Sequence, residues 1–193
     1  MSVKGSHTTA TYIEWNLIHQ IIADLVGKRK HHRALLITVG IYTGLRISDF
    51  LAIRWIDLLD KDVYVTNEKK TGKRREIQIH PILKKMVLDT YIIKEPASGD
   101  YLMFGSPTYP YKPLPLAVIN KWLVSACKGY PVKGRPSSHT LRKTFGRRIW
   151  ENNNKSDSAL VMLGELFNHR DPITTRRYLG IRQEELGNLY KSL

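Results

Sequence analysis

Cysteine is all but missing: Cys127 is the only one in 193 residues. That excludes an intrachain disulfide and a cysteine-rich zinc site, and a lone Cys on the apolar side of a predicted helix reads as packing. No run is long and apolar enough to span a bilayer, and neither a lipidation motif nor a basic amphipathic helix marks a membrane surface. Met1 to His7 hold no apolar stretch like that of a secretory signal, so the expected location is the cytoplasm. Acids are also scarce, 17 Asp and Glu against 31 Lys and Arg, and they are scattered. Metal nucleases need clustered carboxylates for their hard cations, and no DxD-like pattern occurs. His31 and His32 are adjacent rather than spaced to share a helix face, so no metal and no cofactor is expected. No Ser or Cys beside a base marks an acyl-transfer hydrolase, and there is no internal repeat.

What is present is positive charge. The formal net charge is +14 and the pI about 9.9, the electrostatic footprint of a polyanion binder. Such a surface attracts nucleic acid by releasing condensed counterions, whatever the base sequence. Nucleic acid, DNA or RNA, is the expected partner on charge alone. The length suits one domain with a core of its own.

Apolar residues recur at helical spacing from Tyr12 to Val26, with Gly27 as a stop. A basic turn, Lys28 to Arg33, leads into a helix from Ala34 to Tyr42, broken at Thr43-Gly44, and a short helix from Leu45 to about Ile53 follows. Val63-Tyr64-Val65 and Glu76 to Ile79 read as two strands flanking a Lys- and Gly-rich turn, which predicts a hairpin. Further helices are expected at Pro81 to Ile93, Leu116 to Lys128, Ser138 to Glu151, Ser158 to Gly164, around Tyr178, and at Gln183 to Tyr190. The Pro- and Gly-rich stretch from Glu95 to Pro115 reads as a surface loop. The expected fold class is mainly α with a small antiparallel β-sheet.

A metal-free attack on a phosphodiester must use cationic side chains at the pentacoordinate phosphorus, and arginine's planar fork matches phosphate oxygens in pairs. Two local patterns supply arginines. In Thr43-Gly44-Leu45-Arg46-Ile47-Ser48-Asp49, Arg46 and Asp49 lie three apart, so on a helix they share a face and the acid can orient the base. In Ser138-His139-Thr140-Leu141-Arg142, His139 and Arg142 share a helix face opposite an apolar stripe of Leu141, Phe145 and Ile149. A third element runs from Leu163 to Leu179 and contains Asn168-His169-Arg170-Asp171-Pro172 and Thr174-Thr175-Arg176-Arg177-Tyr178. Alone, each arginine pattern reads more readily as a solvated helix surface than as a site.

Taken in order, they resemble the tyrosine recombinase (phage integrase) family. That family has an arginine in a TGLR-S-(E/D) box, a hairpin lysine, His-x-x-Arg, a second His or Trp, and a tyrosine nine residues after it. This sequence matches with Arg46, Lys70, His139, Arg142, His169 and Tyr178, from roughly Leu35 to the C-terminus. Of the turn's lysines, Lys70 stands directly before Thr71-Gly72, as the family's lysine does. One departure is visible: Leu163-Gly164 is followed by Glu165-Leu166-Phe167-Asn168 before His169, where the family often has Leu-Gly-His directly.

The resemblance implies a site-specific DNA strand transferase with Tyr178 as nucleophile and a 3′-phosphotyrosyl intermediate. Arg46 and Arg142 clamp the phosphate, Asp49 supports, and His139 assists proton transfer at the nucleophile. Lys70 protonates the departing 5′ oxygen, and His169 donates a hydrogen bond to the phosphate. Self-assembly on DNA as a dimer or tetramer is implied too. Residues 1–193 are expected to form the catalytic domain, with residues 1–11 flexible and the helix in residues 180–193 docking onto a neighbouring protomer. Fewer than forty residues precede the Arg46 helix pair, so the family's N-terminal DNA-clamping domain is expected to be absent. A type IB topoisomerase, which shares the chemistry, and a DNA-binding module of little activity are the alternatives.

Overall fold

The computed structural model describes residues 11–193; apart from Thr11, the stretch expected to be flexible lies outside the described residues. Among these residues ten helices and one hairpin follow in chain order: α1 (Trp15–Gly27), α2 (His31–Thr43), α3 (Ile47–Phe50), α4 (Trp55–Leu58), β1 (Val63–Asn67), β2 (Arg74–Gln78), α5 (Pro81–Lys94), α6 (Leu116–Ala126), α7 (Ser138–Asn152), α8 (Asp157–Phe167), α9 (Pro172–Tyr178) and α10 (Ile181–Lys191). The fold is mainly helical with a two-stranded antiparallel sheet. No helix among the described residues is long and apolar enough to cross a membrane.

The centre is α2, whose residues from Ala34 to Ile41 are all buried. A helix apolar on every side belongs inside a core, and α1, α5, α6 and α7 pack around this one. Its crossing with α7 depends on Gly40: a Cβ there would lie 2.5 Å from Leu141 Cδ1 and 2.8 Å from Leu141 Cβ. The two backbones therefore approach more closely than any other residue would permit. Gly44 then ends α2 in the left-handed region (φ 57°), its N–H on the Gly40 carbonyl at 3.1 Å, a conformation glycine adopts most readily. The broken end of α2 is thereby brought beside Arg142 on α7.

A second, smaller core of Trp150, Ala159, Leu160, Leu163, Phe167, Leu179 and Ile181 seats α8, α9 and the start of α10. Helix α7 lies between the two cores and is buried nearly all round. Its cations Arg142, Lys143 and Arg147 are as enclosed as Leu141, while Phe145 and Ile149 are only partly covered. The apolar stripe expected from the sequence is thus not the only buried face. At Gly146 a Cβ would stand 2.8 Å from Leu179 Cδ2 and 2.9 Å from the Phe167 ring, so this glycine lets the second core close against α7.

Three elements differ from the sequence expectation. The helix expected from Leu45 shrinks to α3, because Arg46 has extended backbone (φ −66°, ψ 149°) and sits outside it as the N-cap. Helix α8 runs through Gly164 to Phe167 rather than stopping at the glycine. Helix α4 escapes a periodicity argument because it is four residues long; its first turn is fixed by Asp57, which accepts from the Arg54 N–H at 2.8 Å. The hairpin pairs Val63 with Gln78 through Asn67 with Arg74, leaving residues 68–73 as the turn that carries the lysines.

Candidate active site

The C-terminus of α8 organises the site. The last carbonyls of a helix have no intrahelical partner. Here Asn168 turns into the left-handed region (φ 55°, ψ 49°), its N–H bonds to Glu165 O at 3.1 Å, and the His169 N–H returns to Gly164 O at 2.8 Å. This is a Schellman motif. Phe167-Asn168-His169 therefore stands where the family has Leu-Gly-His, Asn168 taking the left-handed position, and the histidine emerges just past the cap.

The Phe167 carbonyl, left over by this closure, takes two guanidinium groups. Arg46 Nη2 donates to it at 2.8 Å and Arg142 Nη2 at 3.3 Å. Two nitrogens sharing one acceptor are no further apart than those two bonds laid end to end. The arginines, far apart in sequence, therefore converge. Arg142 also donates through Nη1 to Gly44 O at 2.6 Å, and its guanidinium lies 4.3 Å above the Phe167 ring. The negative end of α8 suits both cations.

Their neutralisation differs. Arg46 forms an ion pair with Glu68, whereas among the described residues Arg142, only 5% exposed, has no carboxylate within ion-pair distance. Burial pulls its pKa down to about 10, with the neighbouring Arg46 and Arg75 charges adding to the effect against the pull of Tyr178 and Glu68. At neutral pH it is still a cation. A buried charge without a counterion is costly and is ordinarily paired. An anion is what this position lacks.

Tyr178, the last residue of α9, is partly buried. Its ring centroid is 5.2 Å from that of His169 and 5.6 Å from that of Phe167, both edge-on, and the Lys143 ammonium lies 5.0 Å from the ring centre. Burial raises the phenol pKa, and the Arg142 and Arg46 charges oppose that rise. Helix α9 reaches the site because Asp171 caps it, accepting from the Thr174 N–H at 2.6 Å, with Pro172 at the first helical position. His169 Nδ1 is engaged by the buried Thr175 hydroxyl at 3.0 Å, which leaves Nε2 for the cleft. Thr175 can come so close because Gly164 has no side chain there: a Cβ would be 3.2 Å from its Oγ1. Desolvation, then the Arg142 and Arg46 charges, holds His169 below the usual histidine value.

His139, in the first turn of α7, is shifted the same way, by desolvation and then by the Lys143 and Arg142 charges. Lys70 lies in the hairpin turn. The structure places Arg46, Lys70, His139, Arg142, His169 and Tyr178 around one cleft of about 340 Å³. Of the turn's lysines, Lys70 lines it and Lys69 and Lys73 do not.

Asp49 does something other than expected. Because Arg46 precedes α3 with extended backbone, the two side chains do not share a helix face. Asp49 Oδ1 accepts instead from the Lys69 N–H at 2.9 Å and from the Ser48 hydroxyl at 3.4 Å, so it fastens the lysine turn. The carboxylate on Arg46 is Glu68, 3% exposed, which sequence reasoning overlooked. Its signal was its isolation, one acid in the run Glu68-Lys69-Lys70-Thr71-Gly72-Lys73-Arg74-Arg75. Lys143 was also overlooked, because residue spacing gave no reason to bury it. Among the described residues no group of His, Cys, Asp and Glu is arranged to hold a metal ion.

Fold and site together define a helical domain in which paired arginines and a tyrosine converge on one anion-sized cleft. Comparison with known proteins agrees. Residues 12–185 match the phage integrase family model, and the chain belongs to that family. It is 31% identical over 175 residues to the probable integrase/recombinase YoeC of Bacillus subtilis, covering 90% of this chain and 91% of that protein. A tyrosine recombinase of Pseudothermotoga lettingae is 24% identical over 153 residues, 78% of this chain and 50% of that one. Among solved structures, the XerH site-specific recombinase on a palindromic difH substrate, post-cleavage, superposes with a TM-score of 0.69 at 17% identity, over 98% of this chain and 56% of that one. The lambda integrase catalytic core gives 0.56 at 14% identity, over 88% and 91%. The chain thus spans nearly all of the Bacillus relative and about half of XerH and of the Pseudothermotoga protein.

Proposed function

We propose that this chain is the catalytic domain of a site-specific DNA recombinase or integrase that breaks and rejoins strands through Tyr178, without metal or cofactor. The observation that carries this reading is Arg142: a buried cation lacking a carboxylate counterion among the described residues, sharing the Phe167 carbonyl with Arg46 next to Tyr178. A backbone phosphate is the anion that fits a strongly basic protein.

In the proposed reaction the Tyr178 oxygen attacks phosphorus and the bond to the 5′ oxygen breaks. His139, held neutral near pH 7, accepts the phenol proton. Arg46, Arg142 and His169 Nε2 donate to the nonbridging oxygens, where charge grows in the transition state. The Lys70 ammonium gives its proton to the departing 5′ oxygen, otherwise a poor leaving alkoxide. The products are a 3′-phosphotyrosyl enzyme and a free 5′ hydroxyl. A hydroxyl from the same or a partner strand reverses the steps, and the bond energy is kept in the adduct.

The substrate is double-stranded DNA, met in the cytoplasm, and the working form is a dimer or tetramer assembled on it. XerH is described bound to its difH substrate, and lambda integrase as a tetramer bound to a Holliday junction. Residues 12–185 supply the catalytic domain. In this chain α10 is held by Arg147 to Glu184 and Arg176 to Glu185, each at 2.6 Å, while Leu186, Leu189 and Tyr190 stay exposed. Docking of that face on a neighbouring protomer is part of the proposal, and removal of the residues after Leu179 is expected to impair assembly on DNA.

The test is a nicked suicide substrate carrying the host recombination site. A covalent protein–DNA band is expected, undiminished by a chelator and lost in Tyr178→Phe. No band on any site leaves a binding module, and plasmid relaxation without recombinant product identifies a topoisomerase.

A further inference from the structure

Glu68 ties together parts of the site that come from separate segments. It is 3% exposed and opens the turn that carries Lys70. One carboxylate oxygen takes Arg46 Nη1 and the Thr71 hydroxyl, the latter at 2.9 Å; the other takes Arg75 Nη1 at 3.4 Å. Arg75 in turn donates to the Thr43 carbonyl at 2.8 Å, at the end of α2. The Glu68 backbone closes the turn, its N–H on Lys73 O at 3.0 Å and its carbonyl accepting from Gly72 N–H at 2.8 Å. Burial by itself would raise the Glu68 pKa, but Thr71, Arg46 and Arg75 outweigh it and hold the group ionised.

The lysine turn therefore has two carboxylate moorings. Asp49 holds the Lys69 N–H and has no further side-chain tie to the turn. Glu68 alone joins a side chain of the turn, Thr71, to a phosphate-facing arginine. A side chain with four rotatable bonds reaches a leaving oxygen efficiently only when its backbone is fixed relative to the phosphate.

We propose that Glu68 is a positioning residue that yokes Lys70 to Arg46, so that the proton donor and the phosphate clamp form one rigid unit. This rests on the reading of Lys70 as the donor to the 5′ oxygen. In that step the bond from phosphorus to the 5′ oxygen breaks, and the oxygen takes its proton from the ammonium. A substrate with sulfur at the bridging 5′ position leaves as a thiolate, whose conjugate acid has a pKa of about 8.5, and so needs no donor.

Single-turnover cleavage is measured on suicide substrates with bridging 5′ oxygen or sulfur, for the parent, Lys70→Ala, Arg46→Ala, Glu68→Gln and Thr71→Val. Thr71 is exposed in the turn, so Thr71→Val cuts the tether, and with it the long bond from the Lys73 N–H to the same hydroxyl at 3.3 Å, while leaving the buried ion pair in place. Lys70→Ala is expected to lose activity on oxygen and recover it on sulfur, and Arg46→Ala to lose both. Glu68→Gln and Thr71→Val should lose about tenfold or more on oxygen, with most of that loss restored by sulfur. Equal losses on the two substrates for both variants, as for Arg46→Ala, would overturn the yoke. If Lys70→Ala is not rescued by sulfur, the Lys70 reading itself fails and the yoke fails with it.

Discussion

Replacing Arg142 by Met should leave the protein as stable as before or slightly more stable, while destroying cleavage. Burial lowers the guanidinium pKa well below its ordinary value, to about 10. The unfolded chain therefore holds that proton more tightly than the folded one, and the cost of keeping the charge inside is fully present at every pH below about 10. At 1.36 kcal/mol per pH unit it amounts to about 3 kcal/mol. Methionine removes this cost and keeps an apolar, polarisable contact with the Phe167 ring. Against that, the Gly44 carbonyl loses its donor, which costs about 1–3 kcal/mol, whereas the Phe167 carbonyl keeps Arg46. The balance is between zero and about 2 kcal/mol in favour of the variant. Urea unfolding in low-salt buffer free of phosphate and sulfate reads this as an equal or higher midpoint at unchanged slope. Adding sulfate should raise the midpoint of the parent more than that of the variant, because only the parent adds binding at the cationic pair to the salt's general stabilising effect. A loss of 3 kcal/mol or more, as expected for a core truncation such as Leu141→Ala, would show that Arg142 is a packing element and refute the argument that its charge is held for an anion.

Three further outcomes follow from the geometry. Asn168→Gly should retain cleavage because the left-handed cap is kept, whereas Asn168→Val should cost about 1–2 kcal/mol and displace His169, read by denaturation and by cleavage rate. Gly146→Ala should push against Leu179 and Phe167, costing about 1–3 kcal/mol, and its cleavage rate should fall further than its stability, since the shared carbonyl and Tyr178 move together. Cleavage should lose rate on acidification only below pH 6.5, because His139 and His169 are both held below the ordinary histidine value and the base must be neutral; a limb centred above 6.5 in a single-turnover pH profile would contradict this.

Composition and spacing were enough to anticipate a mainly helical domain with one hairpin, and the ordered motifs resemble the integrase family to which the chain belongs. The glycine break at Gly44, the amphipathic spacing of α1 and the alternation in β2 are local signals, and local signals survive into the fold. What stayed hidden depends on tertiary contacts. The identity three apart in Arg46 and Asp49 suggested a shared face, but the backbone at Arg46 is extended, and no propensity distinguishes an N-cap arginine from one already inside a short helix. The end of α8 was placed at Gly164 because glycine commonly stops a helix, yet this glycine makes room for Thr175, and an asparagine three residues beyond Glu165 does the stopping. Glu68 and Lys143 are buried charges, and burial of a charge is set by partners distant in sequence.

The central claim is that Tyr178, among ten tyrosines, becomes covalently joined to DNA. Its most direct test is residue-level mass spectrometry of the trapped adduct after protease and nuclease digestion. The account requires a 3′-phosphonucleotide on the peptide containing Tyr178 and on no other. The same nucleotide found on a different residue, or on Tyr178 through a 5′ linkage, would contradict it.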